Sequence, residues 1–382
     1  MNVPKCIAYF RFGSLSHVNK RVLEILREHF PENPVVERDV WELMGHKAGL
    51  KWNLLAHALR LYGSDILTRR RGFRDCLLYT PFGFEQIRQH CRAAFRGMPV
   101  RFSLQTQSFF DGSLGVTPHF LYTDHTHLAN LANPCFDRRR LWHPAWIEKE
   151  REIYGSASMN MVWSENIRQS IIQDYAVPAD RVRCVFVGCN AVDAEGMVDL
   201  SLARYARQQI VFVGVAWERK GGPELLEAFQ LVRAQCAQAK LVIVGCSPRI
   251  DVSGVEVIGR VSPDRVHEFL KQSSVFCMPT RIEPFGIAVV EAMSLGLPVV
   301  STKIEAIPEI VEEGRSGFLV NPRDSAATAQ ALIKLLTSPE LCARMGRRGH
   351  EIASEKYTWA RTAPRMVDAI NSVIGRVEAV DK

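Results

Sequence analysis

The chain has 382 residues, 47% of them apolar and 23% charged, which suits a globular protein with two cores rather than one. No run of about 18 apolar residues is present, so the sequence offers no helical membrane span, and the first fourteen residues read as an opening strand, not a signal peptide. The net charge of +7 lies wholly in the first half: residues 1–190 hold 25 Lys and Arg against 18 Asp and Glu, and residues 191–382 hold 23 of each.

The pattern in chain order is one of strands alternating with helices. Residues 6–10 form a strand, followed by a loop at 11–14 containing Gly13 and a helix at 17–30. A strand is expected at 35–40, helices at 50–69 and 84–95 with a short strand at 76–79 between them, and a strand at 99–104. Residues 119–122 form a strand that runs into Thr123-Asp124-His125-Thr126-His127, a polar cluster at the end where open α/β sheets hold ligands. Asp124 or Thr123 equally suits a helix cap there, and His125 with His127 lacks a third ligand at metal-binding spacing. Residues 134–146 read as irregular. A helix at 149–158, a strand at 159–163, a helix at 167–175 and a strand at 182–187 complete the first domain, with 188–190 as the entrance to the second and 191–208 as linker. The second domain starts with a strand at 209–213 and continues with a helix at 223–237, strands at 241–244 and 255–258, and a helix at 264–272. A strand at 275–278, a helix at 287–295 and strands at 297–300 and 317–320 follow, then helices at 325–336 and 340–354. A last helix spans 357–377. This is a doubly wound parallel architecture, divided as residues 1–188, 189–356 and 357–382.

Three loops of the second domain end parallel strands on one edge: 214–222, 245–249 and 280–286. Arg219 and Lys220 stand before Gly221-Gly222 and a helix that opens with Pro223. Two cations and free helix N–H groups at one place suit a diphosphate. Glu283 lies in the loop before the next helix and Glu291 lies inside that helix, so two carboxylates flank an anion site. A ligand with both phosphates and hydroxyls, such as a nucleotide sugar, matches that set. A solvated basic pair and two ordinary surface carboxylates would produce the same residues. The ten cysteines show no CxxC spacing and read as buried thiols in a reducing cytoplasm. Arg88, Arg92 and Arg96 recur at helical spacing, with further arginines at 69–71, 74, 101 and 138–140. They form either a solvated face or a surface for anionic lipid heads or glycans. No nucleic-acid reader motif accompanies them.

Residues 209–320 resemble the donor domain of the retaining glycosyltransferases of family four, which have the GT-B fold. The Glu-x7-Glu motif stands as Glu283-Pro284-Phe285-Gly286 followed by Glu291, and Ala292-Met293 with Gly296, Pro298, Val299 and Val300 continues it. Val213-Gly214 with Lys220-Gly221, Val244-Gly245, Ile258-Gly259 and Gly314 with Gly317-Phe318-Leu319-Val320 are further matches. The family often places Arg directly after the first Gly of the loop; this chain has Val215 there, and Arg219, beside Lys220, is expected to supply the missing cation. The first half is similar more weakly, through His125, the Ser164-Glu165-Asn166 step and Gly188 with Asn190, and Tyr357 with Trp359 resembles the start of the family's C-terminal helix.

The resemblance implies two Rossmann-like domains facing across a cleft, with the last helix returning to the first domain. It implies that Arg219 and Lys220 bind the diphosphate and assist its departure, and that Glu283 with the N–H groups of Phe285, Gly286 and Ile287 holds sugar and phosphate. Glu291 would bind the ribose, Gly214, Gly259 and Arg260 would border the nucleotide, His125 would face the sugar, and Gly13 would let the first loop approach closely. The implied enzyme retains anomeric configuration, needs no protein nucleophile and, having no DxD motif, no metal or other cofactor. The expected partners are a UDP- or GDP-type sugar donor, a glycan or lipid-linked acceptor and the cytoplasmic face of an anionic membrane. The rival expectations are a non-catalytic sugar-nucleotide-binding or assembly protein on the same fold, and a pyridoxal-phosphate phosphorylase, for which the chain is short.

Overall fold

A computed structural model describes residues 4–13, 17–45, 48–189 and 198–380. Ser14, Asn190 and linker residues 191–197 lie outside the described residues. The chain forms two compact units. Met1–Leu131, Phe136–Val185 and Ala363–Lys382 make the first, and Ala132–Cys135 with Phe186–Thr362 makes the second.

The first unit contains β1 (Cys6–Arg11), α1 (Val18–His29), β2 (Val35–Asp39), α2 (Val40–Met44), α3 (Ala48–Leu67), α4 (Phe73–Leu78) and α5 (Pro81–Ala93). It continues with β3 (Val100–Thr106), β4 (His119–Thr123), α6 (Pro144–Ser156), β5 (Met159–Val162), α7 (Glu165–Gln173) and β6 (Val182–Cys184). Its sheet is fully parallel in the order β2-β1-β3-β4-β5-β6. The chain runs outward from β1 to β2, then crosses back to β3, so strand order reverses between β1 and β3. Gly13 follows β1 at that reversal, with a left-handed φ of 61°.

Two local readings of the sequence change here. Residues 76–78 are the end of α4, not a strand, and Tyr79 follows as its C-cap; Cys76 is buried against Ala58 and Tyr62 of α3. A four-residue apolar run fits a buried helical turn as well as a strand. Residues 134–146 are less irregular than expected. A 3-10 turn covers Arg138–Arg140, and α6 starts at Pro144, where His143 Nδ1 accepts the Ala145 N–H at 3.2 Å. The last strand of this unit also pairs over only Val182–Cys184 before leaving the sheet.

The second unit contains α8 (Leu202–Tyr205), β7 (Gln209–Val213), α9 (Gly222–Gln235), β8 (Lys240–Val244), β9 (Val255–Gly259), α10 (Pro263–Gln272) and β10 (Val275–Met278). Next come α11 (Ile287–Ser294), β11 (Val299–Thr302), α12 (Ile307–Ile310), β12 (Gly317–Val320), α13 (Ser325–Leu336) and α14 (Pro339–Lys356). The start of α15 (Trp359–Val380) closes it. This sheet is also parallel, ordered β12-β11-β10-β7-β8-β9. Its strands are apolar runs because both faces carry helices. In α9, Leu225, Ala228, Phe229 and Val232 are buried at the spacing of one helix face. Among the described residues no helix is long and apolar enough to cross a membrane.

Candidate functional site

In the second sheet the chain builds outward from β7 to β9, then returns to β10 on the other side of β7. The reversal therefore falls between β7 and β10, and the loops leaving these two strands lie side by side. That is where open α/β sheets form a ligand crevice. The loops are laced together. Arg281 N donates to Arg219 O at 2.9 Å, Arg219 Nη1 donates to Ile282 O at 2.6 Å, and Thr280 Oγ1 reaches Arg219 O and Ile282 O. Arg281 is itself held by the buried Glu224 at 2.8 Å.

Lys220 and Glu283 meet within this lacing as a directly hydrogen-bonded ion pair, both nearly buried. Arg219 Nη1 lies 3.8 Å from the same Glu283 oxygen and stays partly exposed. Burial lowers the Lys220 pKa, and the Glu283 carboxylate opposes that shift. The cation is thus positioned and desolvated, the state in which it acts most strongly on an entering anion.

Glycines bring the backbones this close. Gly221 has φ 76°, and a Cβ there would lie 1.8 Å from Pro279 O. Gly214, Gly245 and Gly259 end β7, β8 and β9 in step: Gly214 N donates to Val244 O at 2.9 Å and Gly245 N to Gly259 O at 2.8 Å. Gly286, at φ 104°, opens α11 with no side-chain cap, so the positive end of that helix faces the loop that holds Glu283. Phe285 turns inward, edge-on to Tyr357, which leaves backbone, not a ring, for a ligand to meet. Ile287 begins the helix and is half-buried, and Arg260, just past β9, is exposed. Glu291, one turn inside α11, has its carboxyl pushed up to about 7 by burial, so at neutral pH it is poised between charged and neutral forms.

The structure adds two residues that the sequence pattern did not single out. Glu305 accepts the Glu283 N–H and the Asn133 side-chain amide at 2.9 Å, and Asn133 also donates to Arg281 O at 3.0 Å. Glu305 does this from a left-handed φ of 48°, rare for a non-glycine; such strain costs on the order of 1 kcal/mol and marks a constrained position. Burial raises the Glu305 pKa, opposed by those two donors. Asn133 is distant in sequence and carries no local signal, and the positive φ that marks Glu305 is invisible in sequence.

In the first unit, His125 follows β4. Its Nε2 accepts from Asn130 Nδ2 at 2.9 Å, and that amide also donates to His127 O at 2.9 Å. The ring proton therefore sits on Nδ1, which is buried without a partner among the described residues. Burial takes the His125 pKa down to about 4, so the ring is neutral and offers one unsatisfied N–H. His127 differs: its Nε2 accepts the Trp142 N–H at 2.8 Å and serves the fold. The segment carrying both is braced by buried Glu150, which accepts from His127 N at 2.9 Å and from Tyr154 and Tyr175 hydroxyls.

Arg88, expected on a basic face, is instead consumed internally. It pairs with Asp111 at 2.9 Å and Glu152 at 2.7 Å. Arg92 donates to Ser113 O at 3.1 Å.

Residues 207–338 match the family model described as glycosyl transferases group 1. A sulfoquinovosyl transferase of Arabidopsis thaliana is 28% identical over 255 residues, covering 62% of this chain and 48% of its own. A phosphatidyl-myo-inositol mannosyltransferase of Mycobacterium leprae is 32% identical over 184 residues, covering 45% and 49%. The chain thus spans about half the length of these curated relatives. Among solved structures, sucrose-phosphate synthase from Thermosynechococcus elongatus superposes with a TM-score of 0.70 at 15% identity, over 97% of this chain and 100% of that one. HepE of Anabaena, solved with UDP and glucose, gives 0.64 at 14% identity over 96% and 100%. The two doubly wound sheets are those of the GT-B fold.

Proposed function

We propose, from the match of residues 207–338 to the glycosyl transferases group 1 model, that this chain is a retaining glycosyltransferase. It moves a hexose from a UDP- or GDP-type sugar to a glycan or lipid-linked acceptor, without a metal ion, on the cytoplasmic side. The observation that carries this reading is the buried Lys220–Glu283 pair beside Arg219 at the strand-order reversal.

The chemistry follows from that pair. An entering diphosphate takes over the Lys220 ammonium and recruits Arg219 and the N-terminal end of α11. Glu283, released from Lys220, turns its oxygens to sugar hydroxyls. Glu291 in its charged form accepts from ribose hydroxyls, and the glycine-ended strands at Gly214, Gly245 and Gly259 let the nucleotide lie against backbone. The base lies by Gly259 and Arg260. The bond between the anomeric carbon and the phosphate oxygen breaks as negative charge grows on the phosphate, and two fixed cations stabilise that charge. The acceptor hydroxyl attacks from the same face and passes its proton to the leaving phosphate, so configuration is kept with no protein nucleophile. The orphan Nδ1–H of His125 is a donor for a ligand hydroxyl.

The test is calorimetry with UDP-, GDP- and ADP-sugars, together with donor hydrolysis. Binding and slow hydrolysis of one donor, lost in Glu283→Ala with the fold intact, is the expected result. Binding without hydrolysis or transfer would favour a non-catalytic sugar-nucleotide-binding protein, and neither binding nor hydrolysis of any donor would end the enzyme reading.

A further inference from the structure

Helix α3 is apolar on two opposite sides. Leu54, Ala58 and Tyr62 form its buried side. Trp52, Leu59 and Leu67 lie on the other side within an arc of about 80° at 100° per residue, and they are 70%, 47% and 85% exposed. Ala56 and Gly63 fill the stripe between them. Just beyond the helix, Phe73 is 43% exposed. A helix apolar all round belongs in a core, and a lengthwise apolar stripe left in solvent marks a surface that something else covers.

The surroundings of the stripe are basic. Residues 60–75 and 137–140 hold eight arginines against three aspartates. Arg71 joins the two segments, donating to Arg140 O at 2.9 Å and Leu141 O at 2.6 Å while Asp65 holds its Nε at 2.7 Å. Arg69, Arg74, Arg138 and Arg140 remain exposed around that joint. An apolar stripe ending in a dense cationic cluster is the pattern of a helix lying in a bilayer interface: side chains enter the acyl boundary while arginines meet anionic headgroups.

We propose that the exposed stripe of α3, with Phe73 and the arginines at 69–74 and 138–140, is a docking surface for an anionic lipid bilayer. The surface is separate from the Lys220–Glu283 site, and the proposal stands whether or not the donor reading holds.

The experiment is co-sedimentation of the full chain with vesicles of phosphatidylcholine alone or with 30% phosphatidylglycerol, at 0.05 and 0.5 M salt. The expected result is binding to the anionic vesicles that weakens at high salt. Trp52→Ser with Leu67→Ser should weaken it about 30- to 100-fold, at roughly sixfold to tenfold per inserted side chain. Arg69→Gln with Arg74→Gln should weaken it about 25-fold, at roughly fivefold per charge. All four substitutions are on exposed side chains, so thermal melts of the variants should match the parent, and nucleotide binding should not change. Three results would overturn the proposal: no preference for anionic vesicles; unchanged binding in the Trp52/Leu67 variant; or competition by millimolar glycerol phosphate, which would indicate a soluble-phosphate site. Sedimentation velocity adds a fourth. A dimer that Leu67→Ser dissociates would make the stripe an interface between copies.

Discussion

Replacing Lys220 by Met tests the Lys220–Glu283 pair as a structural as well as a functional device. The substitution keeps the aliphatic length and removes the ammonium, leaving the Glu283 carboxylate buried with only Arg219, at 3.8 Å and partly exposed, to compensate it. Stranding one partner of a buried pair costs about 3–5 kcal/mol, and the residual Arg219 places this case near 3 kcal/mol. At roughly 2–4 °C per kcal/mol for a unit of this size, the melting temperature should fall by about 6–12 °C. Adding Glu283→Gln removes the stranded charge, so Lys220→Met/Glu283→Gln should recover most of the loss. Differential scanning calorimetry of the parent, both singles and the double closes the cycle. A Lys220→Met variant melting within 2 °C of the parent, or a double variant no better than the single, would refute the account of the pair.

Gly221→Ala should cost about 2–4 kcal/mol, because its Cβ would meet Pro279 O at 1.8 Å on top of a left-handed φ. Gly314→Ala, with φ 72° but open space around it, should cost only about 1 kcal/mol, and equal denaturation midpoints would show that the close approach carries no weight. Glu291 makes stability depend on pH. Its folded pKa, about 7, lies above the unfolded 4.5, so the folded state keeps a proton that the unfolded state has released. Its contribution is therefore full below pH 4.5 and is lost as pH rises through 7. Glu291→Gln should gain up to about 3 kcal/mol relative to the parent between pH 5 and 8, and parallel stability–pH curves for the two proteins would contradict this. Glu150→Ala leaves three donors without their acceptor and should destabilise the first unit by about 3–5 kcal/mol. Glu150→Gln should restore part of that, and an unchanged urea midpoint for the alanine variant would show that the brace is idle.

The second unit was legible because its signals are local. The apolar run at 275–278, the loop to Gly286 and the helical spacing after it lie within about twenty residues, and the glycines that end β7, β8 and β9 are punctuation that a sequence displays. Contacts between distant residues were not legible. Glu305 reaches the Glu283 N–H from elsewhere in the chain, with Asn133 behind it, and a positive φ at Glu305 leaves no mark on composition. The same limit explains Arg88. Helical spacing with Arg92 and Arg96 put it on a basic face, but Asp111 and Glu152, brought in by the fold, take up its charge. His125 and His127 look alike in sequence; only the Trp142 amide on one and the buried, partnerless Nδ1 of the other tell them apart. The strand expected at 76–79 turned out helical because a short apolar run carries no period long enough to decide.

The proposed function requires a diphosphate to replace Glu283 as the partner of Lys220. Calorimetric titration of UDP and GDP into the parent and into the Lys220→Met/Glu283→Gln variant tests it in a protein that keeps its fold. The parent should bind one of the two, and the variant should bind it about tenfold to a hundredfold more weakly, the worth of a charged hydrogen bond to phosphate. Equal affinity in the two proteins would contradict it.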